Sequence, residues 1–162
     1  MDKSIFCVIT PDTYDVRDKI LEILENNKFY IIHQETSLLK NDDIELLYGH
    51  LKEDRLWKEL LAASKKGEVL IFAIKKKKTF FQKSLCALST YIPILRFVDE
   101  VLLSKAISEL HALVGDLDSD ETTIRGKFAL NKVKKAIYVS TCKESAAIEI
   151  NHFFLNENEN EN

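Results

Sequence analysis

Nucleophilic and metal chemistry depend on a few side-chain types, and their spacing here argues against most of it. The three cysteines, Cys7, Cys86 and Cys142, are odd in number and far apart. No CxxC pair or Cys/His cluster has metal-ligand spacing, so reduced, mostly buried thiols are expected rather than a zinc site or a disulfide framework. His33, His50 and His152 are scattered, with no carboxylate or nucleophile at a recognisable spacing. Only four glycines occur in 162 residues, so neither a Walker-type loop nor a dinucleotide fingerprint can be written. The lysine run Lys75–Lys78 precedes Phe80, Phe81, Tyr91 and Phe97. Lysines beside aromatics suit the rim of a protein-partner surface, or contacts to phosphates and bases. An extra packed hairpin or helix with solvated lysines is the plainer alternative. The formal net charge of −3 supplies no global basic field, which argues against nucleic acid or an anionic membrane as partner.

The elements that must position any site follow from patterning. Hydrophobic residues make up 46% and charged residues 30%, as in soluble globular chains, and the length suits one domain. Residues 4–9 read as a buried strand. Helix spacing follows from about 16 to 26, then a second strand over 28–35. Asn41 and Asp42 suit an N-cap for a helix carrying Ile44, Leu46, Leu47 and Tyr48. Another helix is predicted over about 54–64, and residues 69–74 form a continuous apolar strand. Leu102–Val114 has helix periodicity and stops at Gly115, a suitable C-cap. Phe128–Leu130 and Ala136–Val139 read as strand pieces, and a final helix runs from Lys143 to Phe154. The apolar stretch after the lysine run is interrupted by Gln82, Lys83, Pro93 and Arg96, so no membrane span is expected. The start lacks a secretory h-region, which makes the cytoplasm the default compartment. Residues 156–162 alternate Asn and Glu and should be disordered. Strands alternating with helices give a small α/β sandwich around one antiparallel or mixed sheet.

Three landmarks then stand in order: Ile9-Thr10-Pro11-Asp12 after the first strand, Thr123-Ile124-Arg125-Gly126, and Glu144-Ser145-Ala146 opening the last helix. On these the chain resembles the nucleoside diphosphate kinases. The resemblance covers about residues 4–74 and 102–154. It implies an α+β fold with a ferredoxin-like βαββαβ core and helices covering one sheet, within a domain spanning 1–155. An inserted segment of about 75–101 is left over, a candidate surface for a protein partner. The resemblance also implies a homo-oligomer, and a ping-pong transfer of the γ-phosphate through a histidine, with Mg²⁺ and nucleotide as cofactors only where that activity is retained.

Position by position, that machinery is altered. The family's histidine falls on Tyr138, whose hydroxyl cannot replace an imidazole nitrogen as phosphate carrier. The expected phosphate-contacting lysine falls on Thr10, the arginine on His111 and the threonine on Leu117. A permanent charge is thereby exchanged for neutral or weakly basic groups. The asparagine near the sugar falls on Lys135 and the base-stacking phenylalanine on Leu56, with Trp57 adjacent. Tyr48, Arg125, Ser140 and Glu149 match, Arg125 toward phosphate and the last two in support of the histidine. Losing one electrostatic contact can cost on the order of 10²–10³ in rate. The expectation is therefore a pseudoenzyme acting by nucleotide binding or assembly, with no catalytic residue and no metal ligand. The alternative is an active kinase with a displaced catalytic residue.

Overall fold

A computed structural model describes residues 3–79, 82–83, 97–116 and 118–155. The elements are β1 (Ile5–Ile9), a 3-10 turn (Pro11–Val16), α1 (Arg17–Asn26), β2 (Phe29–Ser37) and α2 (Asn41–Tyr48). A short 3-10 turn (Gly49–Leu51), α3 (Trp57–Ser64) and β3 (Val69–Lys76) come next. The chain closes with α4 (Phe97–Val114), α5 (Ile124–Phe128), β4 (Ile137–Val139) and α6 (Lys143–Phe154). The strands lie in the order β2-β3-β1-β4, every neighbour antiparallel. This is the expected βαββαβ core, with α2 and α3 inserted between the second and third strands.

β1 is apolar at all five positions because it is central and covered on both faces; none of its residues exceeds 1% exposure. Alternation sends Ile5, Cys7 and Ile9 to one face, against Ile20 and Leu24 of α1 and Ile107, Leu110 and Val114 of α4. Phe6 and Val8 point the other way, against Leu47 of α2, Leu60 of α3 and Ile150 and Phe153 of α6. Each large side chain buried in this way contributes about 1.5–3 kcal/mol. β2, the edge strand, is mostly exposed, and its register shifts between Ile31 and His33. Such a bulge on an edge discourages unplanned strand pairing.

Several predicted boundaries move. Phe128 ends a short helix rather than opening a strand: Thr123 Oγ1 accepts the Gly126 N–H at 3.0 Å and caps residues 124–128. Asn41 and Asp42 lie inside α2, whose cap position is Lys40, its N–H bonded to Asp43 Oδ2 at 2.7 Å. β3 runs two residues into the lysine run, and α4 starts at residue 97 rather than 102. Gly115 takes the expected left-handed C-cap, φ 71°. Cys7 is buried as expected, whereas Cys142 is exposed at the start of α6. No helix among the described residues is long and apolar enough to cross a membrane. Leu117, Cys86, most of the inserted segment and the 156–162 tail lie outside the described residues.

Candidate functional site

β4 pairs with β1 in the register Cys7↔Val139, Val8↔Tyr138 and Ile9↔Ile137. The entry to β4 is unusual. Ala136 has φ 68°, and the Ile137 N–H reaches back to the Lys135 carbonyl at 2.8 Å. This is a γ-turn of the strained hand, at a residue with a side chain. The geometry is held from outside: the Ala136 carbonyl accepts from Thr10 N (3.1 Å), Thr10 Oγ1 (3.1 Å) and Thr13 Oγ1 (2.8 Å). Thr10 is thus buried and committed to the backbone of the turn preceding Tyr138.

Alternation along β4 turns Tyr138 toward the α2/α6 face. Its ring meets Tyr48 edge-on at 5.2 Å and Phe6 at 6.4 Å. Its hydroxyl donates to Glu149 Oε1 at 2.5 Å. The other Glu149 oxygen accepts from Ser140 Oγ, which also bonds the Phe6 backbone. Glu149 is only 3% exposed and Ser140 is fully buried. Burial raises the Glu149 carboxyl above the ordinary value, while the Ser140 and Tyr138 hydroxyls pull it partway back. Burial, the Glu149 hydrogen bond and its charge push the Tyr138 hydroxyl far above the usual phenol range. Tyr48 is raised as well, chiefly by burial, although the Arg125 charge opposes the rise. At neutral pH both phenols are therefore protonated.

Arg125 projects from α5 into the same region. Nη1 donates to the Gly115 carbonyl and Nη2 to the Ile137 carbonyl, each at 3.1 Å. Its buried Nε has no partner among the described residues, nor does Asp12 Oδ2. Burial lowers the Arg125 pKa, and Tyr48 and Asp116 oppose the shift. Lys135 is lowered by burial and then by the Arg125 charge, with Asp54 opposing. Lys135 also lines a cavity of about 190 Å³ with Asp54, Leu56, Trp57, Lys132 and Val133. His111 bonds the Ser140 carbonyl through Nε2 at 2.9 Å. It lies on α4, whose buried residues pack on the face opposite Tyr138.

The fold thus gathers Thr10, Tyr48, Arg125, Lys135, Tyr138, Ser140 and Glu149 around the β1–β4 junction, while His111 touches that region only through backbone. The strained Ala136, the Thr13 clamp and Asp54 were not anticipated. Ala136 carried no signal, because a positive φ in sequence is normally announced by glycine.

The donor set partly fits a nucleotide. Lys135, whose ammonium faces the Arg125 charge, suits an anion at the mouth of the cavity. Trp57 offers a ring wall. At about 190 Å³ the cavity lies below the ~300–1,000 Å³ of ordinary ligand pockets, so it admits a ring system and leaves the rest of a nucleotide outside. Among the described residues no three His, Cys, Asp or Glu side chains form a metal cluster.

The family model for nucleoside diphosphate kinase matches residues 71–159. A comparison with curated protein sequences finds no match. Among solved structures, the nucleoside diphosphate kinase of Aquifex aeolicus superposes with a TM-score of 0.67 at 19% identity, covering 91% of each chain. The apo enzyme of Encephalitozoon cuniculi superposes with a TM-score of 0.71 at 22% identity, covering 93% of this chain and 88% of the other. At such identities the superpositions speak for the fold, and the family model, which spans more than half of the sequence, speaks for descent. The chain belongs to the nucleoside diphosphate kinase family.

Proposed function

We propose that the chain is a nucleoside diphosphate kinase-like protein that has lost phosphotransfer and acts by nucleotide binding or by assembly with other chains. One observation carries this reading: the Tyr138 hydroxyl, at the position expected for the phosphate-carrying histidine, is buried and donates to Glu149. A phosphoryl acceptor needs a free lone pair aimed at the incoming phosphorus. Here the oxygen is buried against α6, where it meets Glu149 and not solvent. Thr10 supports the same reading, since its hydroxyl serves the Ala136 carbonyl instead of a phosphate. Lys135 and Lys132, which line the Trp57 cavity, are the groups left to hold a nucleotide, phosphates on the cations and the base against the indole, with the Arg125 charge acting on Lys135 from behind.

Incubation with γ-labelled ATP and Mg²⁺ tests the loss of transfer. No acid-labile phosphoprotein and no labelled triphosphate from added diphosphate are expected; either product would overturn the reading. Titrating nucleotides against Trp57 fluorescence then separates the two modes. Quenching that is weakened by Lys135→Ala supports binding, and silence at millimolar nucleotide leaves assembly as the role.

A further inference from the structure

A second concavity lies on the opposite side of the β2–β3 pair from the Trp57 cavity's helices, between the ends of those strands and α4. Its volume is about 1140 Å³, and eight lysines but only two carboxylates line it. That is a local surplus of six positive charges on a chain whose formal net charge is −3. Three of the lysines are compensated: Lys3 and Lys78 share Asp99 at 3.0 and 2.8 Å, and Lys76 bonds Glu109. Lys28, Lys75, Lys77, Lys83 and Lys105 make no ion pair among the described residues. These five come from four separate parts of the chain: the α1–β2 turn, the end of β3 and its continuation, residue 83, and α4. Folding, not local sequence, brings them to one hollow.

The arrangement is electrostatically unfavourable without a ligand. Burial lowers the Lys76 ammonium, and the charges of Lys28 and Lys105 lower it further, so like charges converge closely enough to repel. An anionic ligand that runs past several of them would relieve that repulsion. Lysines, as flexible point charges, suit a series of phosphates better than one planar carboxylate. Tyr30, 41% exposed, lies on the same wall, directly across the ladder from Lys75. An exposed ring beside a lysine row is the pairing that holds a single strand, backbone on the cations and base on the ring. Reading a duplex calls for an element that protrudes into its groove, whereas this surface is concave.

We propose that this lysine-lined hollow binds single-stranded nucleic acid, with Lys28, Lys75, Lys77, Lys83 and Lys105 on consecutive phosphates and Tyr30 stacked on a base. The proposal departs from the expectation that a chain of net charge −3 avoids nucleic acid, because the relevant quantity is the local surplus. It is independent of phosphotransfer at the β1–β4 junction.

Fluorescence anisotropy of a fluorescein-labelled oligothymidylate with the full chain tests it. Five neutralised phosphates give a log–log salt slope of about −3.5, so affinity should fall on the order of a hundred-fold between 50 and 200 mM salt. The variant Lys75→Glu/Lys77→Glu/Lys105→Glu should bind at least roughly ten-fold more weakly, and its Lys→Gln counterpart should show the same direction if the charge reversal perturbs folding. Tyr30→Ala should lose roughly five-fold or more. Lys65→Glu/Lys66→Glu, exposed at the end of α3 and outside the hollow, should bind as the parent does. Absence of binding at 50 mM salt, or equal binding by the groove variants, would overturn the proposal. So would displacement of the oligonucleotide by inorganic polyphosphate of matched charge combined with indifference to Tyr30→Ala, which would make the site a polyphosphate site.

Discussion

Replacing Tyr138 by phenylalanine removes one oxygen and leaves the rings against Tyr48 and Phe6 in place. The loss falls on Glu149, whose Oε1 forfeits its donor in a buried setting. An unsatisfied buried acceptor costs about 1–3 kcal/mol, and Tyr138→Phe should lower the denaturant midpoint accordingly with an unchanged slope. Were the hydroxyl a reaction group instead of a structural one, stability would hardly move. Glu149 itself makes stability depend on pH. Its folded pKa lies above the ordinary carboxylate value of about 4.3, so the folded state favours the protonated form. The associated stability is fully present below the unfolded pKa and is lost as pH rises through the folded one. Relative to Glu149→Gln, the parent's melting temperature should therefore be most favourable near pH 4 and decline toward neutrality. A constant difference across that range would show that Glu149 does not titrate as its burial implies.

At the scale of elements, α5 shows how a helix of five residues can be fixed in place. A Cβ on Gly126 would lie 1.9 Å from the Asp120 carbonyl oxygen, so the loop before α5 closes directly onto the helix backbone. Gly126→Ala should cost about 1–3 kcal/mol or more through overpacking, and should weaken the Arg125 contacts to Gly115 and Ile137 carried on the same turn. Urea denaturation with a near-ultraviolet probe checks it. This helix also marks where patterning fell short. Phe128–Leu130 looked strand-like because apolar residues adjoin lysines, and a five-residue helix has too few turns to display a period. The fully apolar β1, the apolar first six residues of β3, the helix over 143–154 and the Gly115 cap were legible, since each expresses one local rule strongly. Of the site, the residue identities at Tyr138, Thr10 and Lys135 were legible. The Ala136 clamp and the lysine convergence were not, because both depend on contacts between segments far apart in the chain.

For the whole molecule, the exposed edge strand bears on assembly. Ile32 on β2 is 38% exposed, and among the described residues the outer side of β2 has no strand partner. Homo-oligomerisation through this edge predicts that Ile32→Asp shifts the mass measured by light scattering toward the monomer; an unchanged mass would move the interface elsewhere.

The clasp at Ala136 reaches further than the site it shapes. Thr10 and Thr13 hold a carbonyl more than 120 residues away in sequence, and β1 lies between β3 and β4, both made much later in the chain. β1 therefore cannot gain both of its ladder neighbours until β4 has formed. Its backbone amides should exchange with deuterium only through global unfolding, while the outer amides of β2 exchange by fraying. Pairings this distant in sequence raise the contact order, which slows folding relative to a chain of local contacts.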